Sequence, residues 1–373
     1  MDRKSNDDIA VAAIQQIYQL WQVDVDRALW VGDKPSPFSE PYGFDWWPGD
    51  FRVAVRIFGP HPEWSRPVYR LSVRSDCLKD VDIAAPSFLK NLSEINLISP
   101  TFSFVSMPKE VVDLGIEKSD VDPGPSKVWL ESTAYLHEGI SEWLPRFLAG
   151  QAILQPIESQ ERAIIAAQLL GGQPDQSRPP CSNLNKGLDD MLGLENDYAA
   201  CGETPSKWIN TGEFEGIIER WGRCDTAFGT ADQAGLTIET PFGEHTAILT
   251  LKTEEPHPRL GNGLLAELKI PYFVETEQAF HTANFLNFLE STTWAGTGMP
   301  FTGSWTTRIT SEPELICLAY GNFVPNFVYQ SGLAENLVLW AINRARWIRE
   351  SRYPDVVDLP MHEILSRRLN QRC

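Results

Sequence analysis

Several residue groups in this chain have types suited to chemistry, and each lacks part of what its reaction needs. His137-Glu138 and His362-Glu363 both begin like the helix of a zinc protease, where a second histidine one turn later shares the ion. Ser141 and Ser366 stand at that later position, so both pairs read as polar loop or helix-surface residues. Paired acids occur at Asp24/Asp26, Asp80/Asp82 and Asp120/Asp122. The last pair, with Gly124, suggests a Ca²⁺ loop, but the alternating acid ladder and terminal glutamate of an EF-hand are missing. Gly296-Thr297-Gly298 and Gly303 follow a helical pattern rather than a strand, and no helix follows them. A phosphate loop needs that strand and the helix N-terminus behind it. No GxSxG or nucleophile–base spacing is present. The expectation is no catalytic residue, no metal site, no cofactor and no enzyme.

His61 and His257 each stand between two prolines, Pro60-His61-Pro62 and Pro256-His257-Pro258. Two prolines stiffen a turn, so a repeated structural turn is the plain reading and a paired ligand site the sharper one. Trp46 and Trp47 are adjacent on a strand, so their rings point to opposite faces. If Trp46 follows Phe44 inward, Trp47 lies on the outer face, as a partner anchor or under another part of the chain.

The outer face carries the most specific polar pattern. In Phe51–Phe58 the residues Phe51, Val53, Val55 and Ile57 share one side, leaving Arg52, Ala54 and Arg56 on the other. In Val68–Arg74, Tyr69, Leu71 and Val73 leave Arg70, Ser72 and Arg74 opposite. Arg52, Arg56, Arg70, Arg74 and Trp47 are the expected partner-binding residues, for a partner bearing carboxylates or phosphates. The alternative is pairing with the chain's own acids, with Glu117, Asp120 and Asp122 as candidates. The corresponding face of the second half offers Thr246, Ile248, Thr250 and Lys252, with Leu265, Glu267 and Lys269.

The elements that position these residues recur. A helix with Ile17 and Trp21 on one face precedes strands at Phe44–Trp47, Phe51–Phe58 and Val68–Arg74. A helix over Pro86–Asn96, strands at Phe102–Met107 and Val128–Leu136, and a closing helix Ile157–Leu170 follow. The second half runs through a helix Glu213–Trp221 and strands Leu236–Glu239, Thr246–Lys252 and Leu264–Ile270. A helix Glu277–Ser291, strands Trp305–Ile309 and Leu315–Tyr320, and a helix Leu333–Arg349 complete it. Five anchors put the halves in register. Ile17 and Trp21 match Ile217 and Trp221, and Pro60-His61-Pro62 matches Pro256-His257-Pro258. Phe88–Leu92 matches Phe285–Leu289, Ala134-Tyr135 matches Ala319-Tyr320, and Leu144-Pro145-x-Phe147 matches Val324-Pro325-x-Phe327. The expected fold is α+β: two tandem α-β-β-β-α-β-β-α units with antiparallel sheets and helices packed on one side. The expected division is a first unit over 1–172, a Pro/Gly/Asn-rich linker over 173–207, and a second unit with a C-terminal tail over 208–373.

Bulk properties bound the function. The chain has 373 residues, 42% hydrophobic and 22% charged, ordinary for a globular protein with two cores. Its net charge of −18 argues against nucleic acid or an anionic membrane as partner. Six cysteines without CxxC spacing read as reduced thiols and a cytoplasmic compartment. The N-terminal stretch MDRKSNDDIAVAAIQQ has no signal-peptide layout, and no apolar run is long enough to span a bilayer. Thirteen Trp and 18 Phe promise bulky cores and an aromatic contact surface.

The element order, with the proline-led starts at Leu144-Pro145 and Val324-Pro325, resembles the type III secretion chaperone-like fold, including its YbjN-like bacterial members. The resemblance covers roughly Asp8–Leu170 and Glu213–Arg349. It implies a protein that holds extended segments of partner proteins, with the two units forming an internal pseudo-dimer. A monomer or a homodimer is equally compatible. The leading expectation is a non-enzymatic, cytoplasmic, chaperone-like protein binding a partner segment. Two alternatives stand beside it: a small-molecule-binding protein or enzyme with a pocket between the units, with His61 or His257 as candidate residues, and an architectural subunit of a larger assembly.

Overall fold

The computed structural model describes residues 11–15, 29–32, 42–47, 50–60, 67–108, 126–137, 143–177, 204–221, 228–242, 245–258, 260–272, 276–292, 299–309 and 316–352. Residues 11–15 are helical. The first unit then runs β1 (Leu29–Val31), β2 (Tyr42–Trp46), β3 (Val53–Phe58), β4 (Tyr69–Lys79), α1 (Phe88–Leu97), β5 (Ser103–Ser106), β6 (Val128–Leu136), α2 (Trp143–Leu170) and β7 (Gln173–Pro174). The second runs α3 (Glu213–Trp221), β8 (Phe228–Ala231), β9 (Gly235–Phe242), β10 (His245–Lys252), β11 (Gly263–Tyr272), α4 (Thr276–Thr292), β12 (Ser304–Ile309), β13 (Ile316–Pro325) and α5 (Leu333–Arg352).

The fold is α+β, with two antiparallel sheets in tandem. Strand order is β1-β2-β3-β4-β6-β5 in the first, with β7 also on β4, and β8-β9-β10-β11-β13-β12 in the second. The two orders are the same path. Each meander carries one short edge strand, β1 or β8, beyond the three expected. Strands of three or four residues are too brief to set up a legible alternation. Beneath each sheet lies one apolar face. Val53, Val55, Ile57, Leu71 and Val73 are buried in the first, and Leu249, Leu251, Leu264, Ala266 and Leu268 in the second. The long helices α2 and α5 cover these faces.

Helix α2 is longer than its expected C-terminal part, because it runs unbroken from Trp143 through Pro156 to Leu170. An internal proline costs a helix about 3 kcal/mol. Here Leu154, Ile157, Ala163, Ala166 and Leu170 are buried along it and hold the helix to the sheet. Gly171 and Gly172, with φ of +79° and +83°, end it in the left-handed conformation that glycine adopts without penalty.

Hydrogen bonds set the equivalence of the two units more finely than sequence anchors do. Asn96 of α1 donates to the Phe104 carbonyl (2.9 Å) and accepts from the Phe104 amide (2.7 Å). Asn287 of α4 makes the same two bonds, 2.9 and 2.7 Å, with Trp305. Ser93 of α1 bonds Thr307 across the units, and Asn284 of α4 bonds Ser106 in return. Thr133 donates its amide to the Phe301 carbonyl (2.7 Å), and Phe323 donates its own to that of Pro100 (2.7 Å). With Phe104 matched to Trp305, strand pairing matches Leu130 to Tyr320, Trp129 to Ala319 and Glu131 to Gly321.

This corrects three of the five anchors. Ala134-Tyr135 is not the counterpart of Ala319-Tyr320. Phe88 opens α1, whereas Phe285 lies in the middle of α4. Pro145 sits inside α2, whereas Pro325 is the last residue of β13. Recurring aromatic and aliphatic types mark buried faces in any register and so cannot fix one. Ile17, Trp21, His61 and Pro62 lie outside the described residues.

The units pack reciprocally. Helix α4 places Phe285 and Phe288 against Val105, Met107 and Trp129, on the side of the first sheet away from α2. Helix α1 lies against β12, where Ser304 donates to the Asn96 carbonyl (2.8 Å) and Thr306 to that of Ser93 (2.8 Å). The first residues of the expected linker belong to the first sheet: β7 pairs with β4, and Asp175 accepts from Lys127 (2.6 Å). Asn326 binds the end of that stretch, donating to the Thr204 and Pro205 carbonyls.

Candidate functional site

Strand alternation brings the four arginines to one face of the first sheet, and acids of the chain meet Arg52, Arg56 and Arg74 there. Arg56 is paired with Asp45 and donates to the Phe44 carbonyl (2.6 Å). Arg74 Nε donates to Glu131 Oε2 (2.7 Å), which also accepts from Trp129 Nε1 (2.7 Å), while Ser72 donates to Oε1 (2.6 Å). Arg70 donates to the Ser291 carbonyl at the end of α4 (2.7 Å) and stacks 4.1 Å over the Phe58 ring. Arg52 donates to both oxygens of Asp76 (3.1 and 3.4 Å).

Burial has a legible electrostatic effect here. It lowers the pKa of Arg56 even though Asp45 opposes the shift. It raises that of Asp76 against the pull of Arg52. For Arg52 itself burial is outweighed by Asp76 and Asp45, and its pKa rises.

Arg56, Arg70 and Arg74 are buried, and so is Trp47, whose Nε1 donates to Ser177 Oγ (3.0 Å). Burial leaves these four no surface for a partner, which corrects their assignment as a docking face. Arg52 alone stays partly open, with 34% of its side chain exposed. The acids that meet the arginines are Asp45, Asp76 and Glu131. Glu117, Asp120 and Asp122 lie outside the described residues.

The equivalent face of the second sheet carries a cleft, with Gly321 half-buried and Ala319 buried. A cleft of about 240 Å³ lies between the C-terminal end of α1, the Pro256-His257-Pro258 turn and strands β11 to β13. Its floor is Ala319 and Gly321, the counterparts of Trp129 and Glu131. The side chains that fill the first face are therefore absent from the second. A Cβ built on Gly321 would meet only the Pro100 side chain, at an ordinary 3.6 Å, so space rather than backbone strain defines this position.

The charged residues lining the cleft are Glu255, Glu267 and Arg308. Glu267 accepts from Arg308 (2.6 Å) and Lys269 (3.0 Å), and it is buried while Arg308 is 45% exposed. His257 is held by paired backbone bonds with Gly261 (2.9 Å each), and its Nδ1 accepts the Leu260 amide (3.3 Å). That bond puts the proton of a neutral ring on Nε2. The ring lies 5.3 Å from that of Phe323. Beside the cleft, Leu97 and Ile98 expose apolar surface, Ile98 to 61%.

Sequence reasoning placed Glu267 and Lys269 on this face and singled out His257, but missed Ala319, Gly321, Arg308 and the α1 wall. Gly321 was the available signal, since a glycine inside an apolar strand marks a close approach or a gap.

Among the described residues, no group of three or more His, Cys, Asp or Glu is placed to hold a metal ion. Cys77 and Cys317 are free thiols, and burial pushes Cys77 up to about 12. No described helix is long and apolar enough to cross a membrane. Comparison with protein-family models, with curated proteins and with solved structures gives no match to this chain.

Proposed function

We propose that this chain is a cytoplasmic, non-enzymatic binding protein that holds a segment of a partner protein in the cleft between α1 and the second sheet. The observation that carries the reading is the contrast between equivalent faces: Trp129 and Glu131 fill one, while the smaller Ala319 and Gly321 line a cleft in the other. A volume of about 240 Å³ is below the roughly 300–1,000 Å³ of small-molecule pockets. It suits side chains of a longer segment better than a free cofactor or substrate. The exposed Leu97 and Ile98 extend the apolar surface along which such a segment would run. Reciprocal packing of α1 and α4 supports an internal pseudo-dimer, in keeping with the chaperone-like resemblance.

Filling the cleft tests this. Ala319→Trp restores on the second face the side chain that the first face carries. Wild type and Ala319→Trp chains, matched for thermal stability, are used to capture proteins from the native cell and compared by mass spectrometry. The expected result is one stoichiometric protein held by the wild type and lost from the variant. Identical captures would count against the cleft.

A further inference from the structure

Building on that reading, we infer that the partner segment presents an arginine, whose guanidinium enters the cleft against Glu267. Two independent observations point there.

The first is a reversal of charge between equivalent positions. Arg74 faces Glu131 across β4 and β6, and Glu267 faces Gly321 in the same way across β11 and β13. Glu267 therefore stands where Arg74 stands. The strand position that answers Arg74 with a carboxylate answers Glu267 with no side chain. The charged residues lining the cleft, Glu255, Glu267 and Arg308, carry one acid more than cation. Of these Glu267 is the buried one, with 9% of its side chain exposed. Arg308 takes one of its oxygens, and Lys269, from beyond the lining, takes the other. A carboxylate offers about four acceptor sites, so a third donor can join them. The first face already shows one acid between two guanidinium groups: Asp45 pairs with Arg56 and lies 3.9 Å from Arg52. Glu255 is held by Lys252 in a pair open to water on both sides, and such pairs contribute little.

The second is a cation that the first unit has and the second lacks. Arg70 donates to the Ser291 carbonyl in the last turn of α4 (2.7 Å) and stacks 4.1 Å over the Phe58 ring. Arg70 stands four residues before Arg74, and Gly263 stands four residues before Glu267. A Cβ built on Gly263 would meet the Val324 carbonyl oxygen at 2.3 Å and the Phe323 ring at 2.7 Å, so no side chain fits there. The cleft nonetheless keeps the same surroundings, the end of α1 at Asn96 and Leu97 and the ring of Phe323. A helix C-terminus carries about half a negative charge, and an aromatic face attracts a guanidinium. An arginine from outside supplies to the second face what Arg70 supplies to the first. Its planar fork both meets a carboxylate and stacks on a ring, which the compact ammonium of lysine does less well.

The test selects random twelve-residue peptides on the full chain and, in parallel, on Ala319→Trp, which keeps the charge and obstructs the cleft. The comparison removes basic peptides drawn only by the net charge of −18. Peptides recovered by the wild type alone are expected to carry arginine and to be depleted of acids. Replacing that arginine with citrulline, its neutral isostere, is expected to weaken binding about tenfold or more in fluorescence anisotropy, the magnitude of one charged hydrogen bond. Glu267→Gln is expected to erase the difference between arginine and citrulline. Arg308→Gln, which frees an oxygen of Glu267, is expected to preserve or enlarge it. Gly321→Leu, whose Cβ meets only the Pro100 side chain, serves as the obstruction if Ala319→Trp does not fold.

Peptides specific to the wild type but without arginine, or citrulline forms that bind equally, would overturn the inference and leave the cleft reading standing. An arginine preference that survives Glu267→Gln would overturn it too. A wild type that recovers nothing beyond the peptides of the obstructed chain would remove the cleft reading as well. Competition by free N-acetylarginine amide at the affinity of the peptides would replace a segment with a small cation and overturn the inference.

Discussion

Arg344 of α5 and Glu290 of α4 lie 2.8 Å apart, both almost entirely out of water. Glu290 also accepts from Trp305 Nε1 (2.6 Å), and Arg344 donates to the Pro300 carbonyl (2.6 Å) and stacks 4.2 Å over the Tyr320 ring. Burial works against the Arg344 charge, but Glu290 and Tyr320 outweigh it and raise its pKa. The pair joins two helices and the edge of the second sheet.

Removing one member of this pair strands the other charge in the interior, which costs about 3–5 kcal/mol. Glu290→Leu and Arg344→Met are each expected to lower the unfolding free energy by that much in urea titrations. The double substitution is expected to cost clearly less than the two costs added, because it leaves no unpaired charge. Additive losses would show that the two side chains act separately.

Asn96 and Asn287 bind the backbone of Phe104 and Trp305 in the same way. Replacing either with Ala leaves a buried amide and carbonyl without partners, a loss of about 1–3 kcal/mol. Asn96→Ala and Asn287→Ala are expected to destabilise to a similar degree by chemical denaturation. A silent substitution at one of them would break the proposed structural equivalence.

The arginine face is expected to respond by depth. Arg74→Ala leaves Glu131 buried without its cation and should cost about 3–5 kcal/mol. Arg52→Ala removes a guanidinium that is partly open to water but leaves the Asp76 carboxylate buried, and should cost less, about 1–3 kcal/mol. Equal effects in parallel denaturation curves would show that burial does not govern this face.

Alkaline pH offers a fourth probe. Burial pushes the phenols of Tyr135 and Tyr320 up to about 12. An unfolded tyrosine ionises near 10. The folded state therefore holds these protons longer. Their contribution is complete below about pH 10 and is lost as pH rises through about 12, by up to about 2–3 kcal/mol each. Tyr320→Phe also leaves the Thr302 amide without its 3.4 Å contact, at about 1 kcal/mol near neutrality. The stability gap between wild type and Tyr320→Phe is expected to narrow from pH 9 to 12 in urea titrations at stepped pH. A constant gap would show that Tyr320 does not titrate differently in the two states.

Strand alternation alone determined that Arg52, Arg56, Arg70 and Arg74 share a face, and that Val53, Val55 and Ile57 lie beneath it. It also made the doubled order of helices and strands legible, because alternation and helical periodicity are local properties of consecutive residues. Register between the halves was not local. Repeated aromatic and aliphatic types satisfied a false match of Tyr135 with Tyr320. The true match of Leu130 with Tyr320 depends on Asn96 and Asn287 bonding residues on separate strands. Whether an arginine faces water or acid was likewise undecided in one dimension. Arg74 is buried because Glu131 and Trp129, more than fifty residues away in the chain, fold onto it beneath α4. The cleft existed nowhere in the linear pattern: Gly321 and Ala319 become a floor only when α1 of one unit closes over β12 of the other.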